Sequence, residues 1–359
     1  MTDTMEGPAS STAQGPLPLT RPQLPRMATL LVALIAAGVA ALLVLLTDMG
    51  VVLAVVVAWV VLGAALPLWS LAIEGSRRAV DRIASIAVWT AFVLAMLPLI
   101  SLLYTLVGKG AGILSAQFFQ NSMRGVLGEG GGIYHAIIGT LIITGFATII
   151  SVPIGVLAAV YLVEYGKGNG LSKVVTLLVD VMTGIPSIVA GLFAYALFVL
   201  MFGPGVRLGF GGSVALSVLM IPIVVRATEE MLKLVPDELR EASYALGVPK
   251  WRTVTKVVLP TAVAGIVTGV TLAIARVAGE TAPLLIIAGF TTSTNFNPFS
   301  GRMANLPVYI FYSVTQPGIY REEYANYAWG AALVLVAIVM ILNVVARVIG
   351  SVFAPKTGR

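Results

Sequence analysis

Eight long apolar runs decide what this chain can fold into. They cover residues 27–47, 51–73, 83–107, 133–163, 174–202, 213–234, 257–289 and 327–349. A hydrocarbon core about 30 Å thick is crossed by about 20 apolar residues in helical form. Within it each backbone N–H and C=O has to be bonded inside the protein, so a run of this length reads as a helix. Only 11% of the residues are charged, against about 25% in a soluble domain. No large soluble domain fits between the spans, and the expected fold is all-α and polytopic. Residues 27–47 are too long for a signal-peptide core and are read as a retained span. Before them, residues 1–26 are rich in Pro, Ser, Thr and Gly and read as a disordered tail.

Two of the runs carry helix breakers. Gly184-Ile185-Pro186-Ser187 interrupts the fifth, and Gly279-Glu280-Thr281-Ala282-Pro283 interrupts the seventh. Proline removes a backbone donor and crowds the preceding turn. Such an interruption survives in a membrane only where protein or a wet cavity satisfies the freed groups. Breaks are therefore expected at Gly184, Pro186, Gly279 and Pro283.

The placement of Lys and Arg sets the expected orientation. Of the 22 such residues, only Lys109, Arg124, Arg207, Arg302 and Arg321 fall on one side, and Arg276 lies within a span. The remainder, including Arg77, Arg78, Arg82, Lys167, Lys173 and the group from Arg226 to Lys256, fall on the other side. By the positive-inside rule that side is the cytoplasm, and it holds both termini, including the tail 350–359, and the 235–256 loop. The net charge of +6 follows this topology and calls for no nucleic-acid partner. The outer segments 108–132 and 290–326 are read as solvated connectors, short interfacial helices or docking sites.

Several chemistries are excluded. The chain has no cysteine and one histidine, His135, so disulfides, thiolate sites and multi-histidine metal sites are absent. His135, near the start of the fourth span, reads as a packing residue. No Gly-x-x-x-x-Gly-Lys-Ser/Thr motif is present, so nucleotide is not bound in the P-loop manner. No cofactor is expected, and the chain is not read as an enzyme. Gly265 and Gly269 permit close helix approach.

The 237–260 stretch is the polar exception. Pro236 suits a helix start, and Asp237, Glu238 and Glu241 complement its positive end. Gly247 suits a C-cap, with Pro249 as a stop. A second short helix would then place Trp251, Val254, Val257 and Val258 on its apolar side. Such a projection suits a groove on a soluble partner, or it lies flat on the lipid.

Arg276 and Glu280 are four apart, which on a continuous helix puts them about 40° apart on one face. Charges at that depth face a bundle interior or a wet path. They form either a self-neutralising bridge or part of an anion site. Arginine donates paired hydrogen bonds to a tetrahedral oxyanion. A carboxylate beside it accepts the proton of hydrogen phosphate and repels sulfate, which has none to give.

These motifs resemble those of a known family. Glu241-Ala242-Ser243, Gly247, Val257 and Leu259-Pro260 have the spacing of the EAA loop of ABC importer permeases, with Ser243 and Val257 as departures. The stretch Arg276-Val277-Ala278-Gly279-Glu280-Thr281-Ala282-Pro283-Leu284 resembles a signature of the PstA family of phosphate importer permeases. Gly184 to Leu192 resembles a second one. The resemblance covers residues 83–349. It implies a type I ABC importer transmembrane fold of six core helices in a bacterial inner membrane, with the spans 27–47 and 51–73 as additions. It also implies a PstC-like sister permease, a PstB-like ATPase dimer and a PstS-like phosphate-binding protein. Glu241, Ala242, Gly247, Leu259 and Pro260 would couple to the ATPase. Arg276, Glu280 and Arg226 would line the substrate path, and Asp180 is left outside it as a packing residue. The alternatives are a permease for phosphonate or sulfate, or a membrane scaffold that carries no solute.

Overall fold

The computed structural model describes residues 23–25, 27–47, 50–166 and 168–353. Residues 1–22, Arg26, Asp48, Met49 and Lys167 lie outside it, as do residues 354–359 of the expected C-terminal tail. All regular structure among the described residues is helical. In chain order the helices are α1 (Ala28–Thr47), α2 (Val51–Ile73), α3 (Ser76–Gly110), α4 (Ala116–Gln120) and α5 (Tyr134–Val160). They continue with α6 (Gly170–Thr183), α7 (Ser187–Phe202), α8 (Gly209–Lys233), α9 (Asp237–Ala245) and α10 (Lys250–Thr253). The last are α11 (Leu259–Ala278), α12 (Ala282–Ile287), α13 (Leu306–Thr315) and α14 (Arg321–Phe353). A π-helical turn, Tyr161–Tyr165, extends α5, and another, Val254–Val258, joins α10 to α11.

Seven helices among the described residues are long and apolar enough to cross a bilayer. The fifth apolar run is not a straight span: α6 and α7 meet at 109°. The seventh starts earlier and ends sooner than its hydropathy suggests, because the rod runs from Lys250 to Ala278 and stops there. Proline by itself does not cause these interruptions. Pro153 and Pro222 sit inside α5 and α8 without ending them. Each interruption pairs a glycine at the helix end, Gly184 or Gly279, with a proline at the start of the next helix.

The chain divides into two compact units at Leu102 and Leu103. In the second unit the most extensive helix contact is between α5 and α8. Small residues let the two backbones approach. Gly155 lies against Val224, and the Ser213 hydroxyl donates to the Ile143 carbonyl at 2.9 Å. Gly265 and Gly269 do the same for α11, facing Met231 and Ala227 of α8. Ile143, Leu216, Met220, Val224, Ala273, Val277 and Leu284 fill the space between. The segments read as solvated connectors are partly core. Asn305 caps α13 by accepting from the Val308 N–H, and Leu306 and Tyr309 are buried behind it. His135 is buried edge-on against Tyr309, with ring centres 5.4 Å apart.

The short helix α12 is wedged against α7 and α8. A β-carbon at Gly191 would lie 2.6 Å from the Cα of Pro283, so only glycine admits this crossing. Gly191→Ala should destabilise the unit by about 1–3 kcal/mol through overpacking, read as a lower melting temperature of the purified complex.

In the first unit Glu74, just past α2, holds several groups together. It accepts from the Ser70 hydroxyl at 2.6 Å and the Leu24 N–H at 2.9 Å, and pairs with Arg78 and Arg82 at 3.3 Å each. The Ser70 hydrogen bond, with those from Leu24 and Arg82, holds its carboxyl down at about 2, from an ordinary 4.5. Since the folded value is the lower one, this contribution is complete above about pH 4.5 and disappears as pH falls through about 2. Glu74→Gln imitates the protonated state at neutral pH. It should speed hydrogen exchange at the Leu24 amide about tenfold, measured by mass spectrometry.

Candidate functional site

The polar loop folds as a helical elbow. Helix α9 follows Pro236 and ends at Ala245, and Gly247 turns the chain two residues on with a φ of +75° that is open to glycine at little cost. Its buried residues are Arg240 and Ser243, three apart and so on one face. Glu241, Ala242 and Gly247 point the other way and are exposed. Leu246 is 84% exposed, and Tyr244 and Trp251 also face out. The second helix differs from the sequence-based expectation. It is not a separate short element, because α10 continues through the π-turn into α11, carrying Leu259 and Pro260 at its start. Its buried side is Thr253, Val254 and Val258, with Trp251 turned away from it. The Ser243 and Thr253 hydroxyls share a buried hydrogen bond of 2.8 Å that closes the elbow.

Arg240 anchors this elbow. Its Nε and one terminal nitrogen donate to Glu164 Oε1 at 3.1 and 3.0 Å. The terminal nitrogens also donate to the carbonyls of Leu232 and Val235 and to Asp237. All five guanidinium donors are thereby used. Leu232 lies in the last turn of α8, whose end carbonyls lack helical partners. Glu164 lies in the π-turn that ends α5, where a carboxylate opposes the helix dipole unless a cation meets it. One side chain of α9 therefore ties the loop to the ends of both α5 and α8. Lys250 adds a second tie, stacking over the Tyr165 ring at 5.0 Å. From the sequence alone Arg240 reads only as an inner-side charge, and Glu164 carries no assigned role. The available signal was an acid at the very end of an apolar run.

Arg276 and Glu280 do not share a helical face. Helix α11 ends at Ala278 with Gly279 as its cap, and Glu280 sits in the break before α12. The four-residue spacing therefore loses its helical meaning, and no ion pair forms between the two. Neither side chain pairs with any described residue. Arg276 is exposed on the surface of this chain and Glu280 is half-buried. Each charge suits its helix end: Arg276 occupies the last turn of α11, and Glu280 precedes the first turn of α12.

Arg226 is engaged. It pairs with Asp180 across α6 and α8, and with Glu229 at 2.8 Å, which also holds Lys233 at 2.7 Å. Asp180, set aside as a packing residue, is thus in direct contact with a candidate path residue. The structure brings Arg226, Asp180 and Glu229 together and leaves Arg276 and Glu280 free of them.

Known proteins share this architecture. Residues 151–359 match the family described as binding-protein-dependent transport system inner membrane component. The phosphate transport system permease protein PstA 1 of Mycobacterium tuberculosis H37Rv is 47% identical over 76% of this chain and 88% of its own length. PstA of Mycobacterium leprae is 46% identical, over 74% and 87%, and PstA of Yersinia pestis is 41% identical, over 78% and 92%. Among solved structures, an inward-facing MetNI methionine ABC transporter superposes with a TM-score of 0.50 at 22% identity, covering 67% of this chain and all of that one. A bacterial alginate ABC transporter gives 0.50 at 17%, covering 78% and 97%. At those identities the structures speak for the fold alone, that of type I ABC importer permeases. A chain of this kind is a multi-pass inner-membrane transport subunit, not itself an enzyme, and functions with an ATPase, a sister permease and a binding protein. On the family match and the identity to its relatives, this chain belongs to the PstA family of ABC importer permeases.

Proposed function

We propose that this chain forms half of the translocation path of an ATP-driven importer of inorganic phosphate. The observation that carries the reading is two charges, Arg276 and Glu280, at an interrupted helix with no partner among the described residues. A lone arginine within a span costs up to about 2.5–3.5 kcal/mol, the value at a helix centre on insertion scales. A surface ion pair returns only about 0–1 kcal/mol, so a packing role explains little. An oxyanion and a PstC-like sister permease supply the missing partners. Hydrogen phosphate is held by the Arg276 fork and donates its proton to Glu280. Arg226 is the next station, reached when the anion takes the place of Asp180.

Residues 235–256 and both termini lie in the cytoplasm, on the argument of Lys and Arg placement. Glu241, Ala242, Gly247 and the exposed Leu246 and Trp251 form the surface that a PstB-like ATPase dimer grips. Leu259 and Pro260 begin the membrane part of the rod. The rod from Lys250 to Ala278 is continuous, about 42 Å at 1.5 Å per residue, and its far tip carries Arg276. Displacing the elbow thus displaces the anion site. The Arg240–Glu164 clamp passes the same stroke to α5 and α8. A PstS-like protein docks at the opposite end. Residues 83–349 make up the permease domain, and α1 and α2 are additions to it.

Purifying the assembled complex and measuring phosphate-stimulated ATPase activity tests the reading, which falls if no ATPase subunit co-purifies. Arg276→Ala should cut phosphate flux by about 10–100-fold, the loss of charge-assisted hydrogen bonds. Glu280→Gln should erode the preference for phosphate over sulfate, and an unchanged preference in a vesicle uptake assay would remove its assigned role. Glu164→Gln keeps the shape of the clamp and loses its charge. In reconstituted complex it should lower phosphate moved per ATP about tenfold while ATP hydrolysis stays within about twofold. A parallel loss of both activities would mean that the clamp serves stability alone.

A further inference from the structure

The end of α12 away from Glu280 carries a second pair of cations. Gly289, with φ of +72°, follows that helix. A β-carbon there would lie 3.1 Å from Cδ of Arg207 and 3.2 Å from Cγ of Arg302. Two arginine stems, from segments 95 residues apart in sequence by their numbering, therefore lie over one glycine. Their backbones flank it as well: the Leu208 N–H bonds to the Ile287 carbonyl at 3.0 Å and the Met303 N–H to the Ala288 carbonyl at 3.1 Å.

The ordinary reasons for an arginine are missing here. Capping the C-terminal end of α12 is one such reason, but backbone donors already occupy the Ile287 and Ala288 carbonyls, and Gly289 and Ala288 N–H groups occupy that of Leu284. Among the described residues no carboxylate pairs with Arg207 or Arg302, no carbonyl accepts from either side chain, and no aromatic ring lies under either. Arg207 is half-buried and Arg302 exposed. Two arginines whose stems share one glycine carry like charges without a counterion, and an anion held by both heads offsets their repulsion. Their forks offer up to five donors each, which matches the oxygens of a tetrahedral oxyanion.

Place matters as much as charge. Arg207 precedes α8 and the elbow follows it, so this pair stands at the opposite end of α8 from the proposed ATPase contact. Helix α12 has six residues, about 9 Å of rise. Arg276 and Glu280 lie at its near end and Arg207 and Arg302 at its far end. We infer that Arg207 and Arg302 form a receiving site for the oxyanion, one short helix ahead of Arg276 and Glu280. The inference rests on the oxyanion-permease reading above.

The test uses the unaltered complex in lipid nanodiscs and the arginine-selective reagent phenylglyoxal, with labelled positions identified by peptide mass spectrometry. Inorganic phosphate at about ten times half-saturation should slow labelling of Arg207 and Arg302 together about tenfold, relative to chloride at equal ionic strength. Arg124 and Arg321 should label at the same rate in both. Equal labelling of Arg207 and Arg302 in phosphate and chloride overturns the site. Protection by ligand-free binding protein and not by phosphate also overturns it, and assigns the pair to protein docking. Protection by sulfate or a phosphonate in place of phosphate keeps the site and overturns the substrate reading, so the two failures are distinct. In a second measurement, R207Q/R302Q should lower flux at saturating loaded binding protein about tenfold, the loss of charge-assisted hydrogen bonds, without changing the binding protein's half-saturating concentration. A rise in that concentration with unchanged maximal flux contradicts the inference.

Discussion

The absence of water in a bilayer core is the constraint on which everything else here depends. It makes each span satisfy its own backbone, so a broken helix is tolerated only where neighbouring protein or a wet path takes up the loose ends. Among the described residues two spans are interrupted by a glycine–proline break, and the fold brings their downstream helices together. Helix α7 follows the first and α12 the second, and they cross where Gly191 meets Pro283. The irregular backbone is thus gathered in one part of the second unit, beside Arg276 and Glu280. A continuous helix through residue 280 would have paired those two charges and neutralised them. The break keeps them apart and leaves both available.

Rigidity is distributed in a matching way. The elbow at 237–253 is small, and its outward face is polar with a few exposed apolar side chains. Its inward face is two residues, Arg240 and Ser243, and both are fully committed: one to Glu164 and the end of α8, the other to Thr253. The elbow is therefore not a hinge. A push on it goes into α11 through the continuous helix and into α5 and α8 through a guanidinium whose donors are all in use. The α5–α8 seam, built on small residues, carries that push as a unit. Arg226 and Asp180 face each other from α8 and α6, so movement of α8 against α6 bears directly on that ion pair.

Much of the fold was legible in the hydropathy because burial in lipid is written residue by residue. The apolar runs predicted the spans to within about seven residues at each end except where a break intervened. Gly184-Ile185-Pro186 and Gly279 marked the interruptions, since glycine and proline act on their own backbone. Gly247 marked the turn of the elbow for the same reason. The misreadings share one cause. Trp251 was placed on the apolar side by helical periodicity, and Arg276 and Glu280 were placed on one face by spacing. Periodicity assumes a continuous regular helix, and a π-turn at 254–258 and a break at 279 invalidate it. From the sequence Glu164 carries no role, Arg240 reads only as an inner-side charge and Asp180 only as a packing residue, because each looks like an ordinary charge near a span end until its partner from a distant segment arrives.

The sequence by itself determined the approximate positions of the apolar segments, the places where they break, the charge asymmetry between alternate connecting segments, and the motif spacings that mark the family. These are local properties, settled by a residue and its near neighbours in the chain. Only the tertiary structure decided which charges are neutralised and which stay free. Arg240 meets Glu164 across 76 positions and Arg226 meets Asp180 across 46, while Arg276, Glu280, Arg207 and Arg302 form no ion pair among the described residues. An ion pair depends on a few ångströms between side chains, and that distance exists only once the helices have packed.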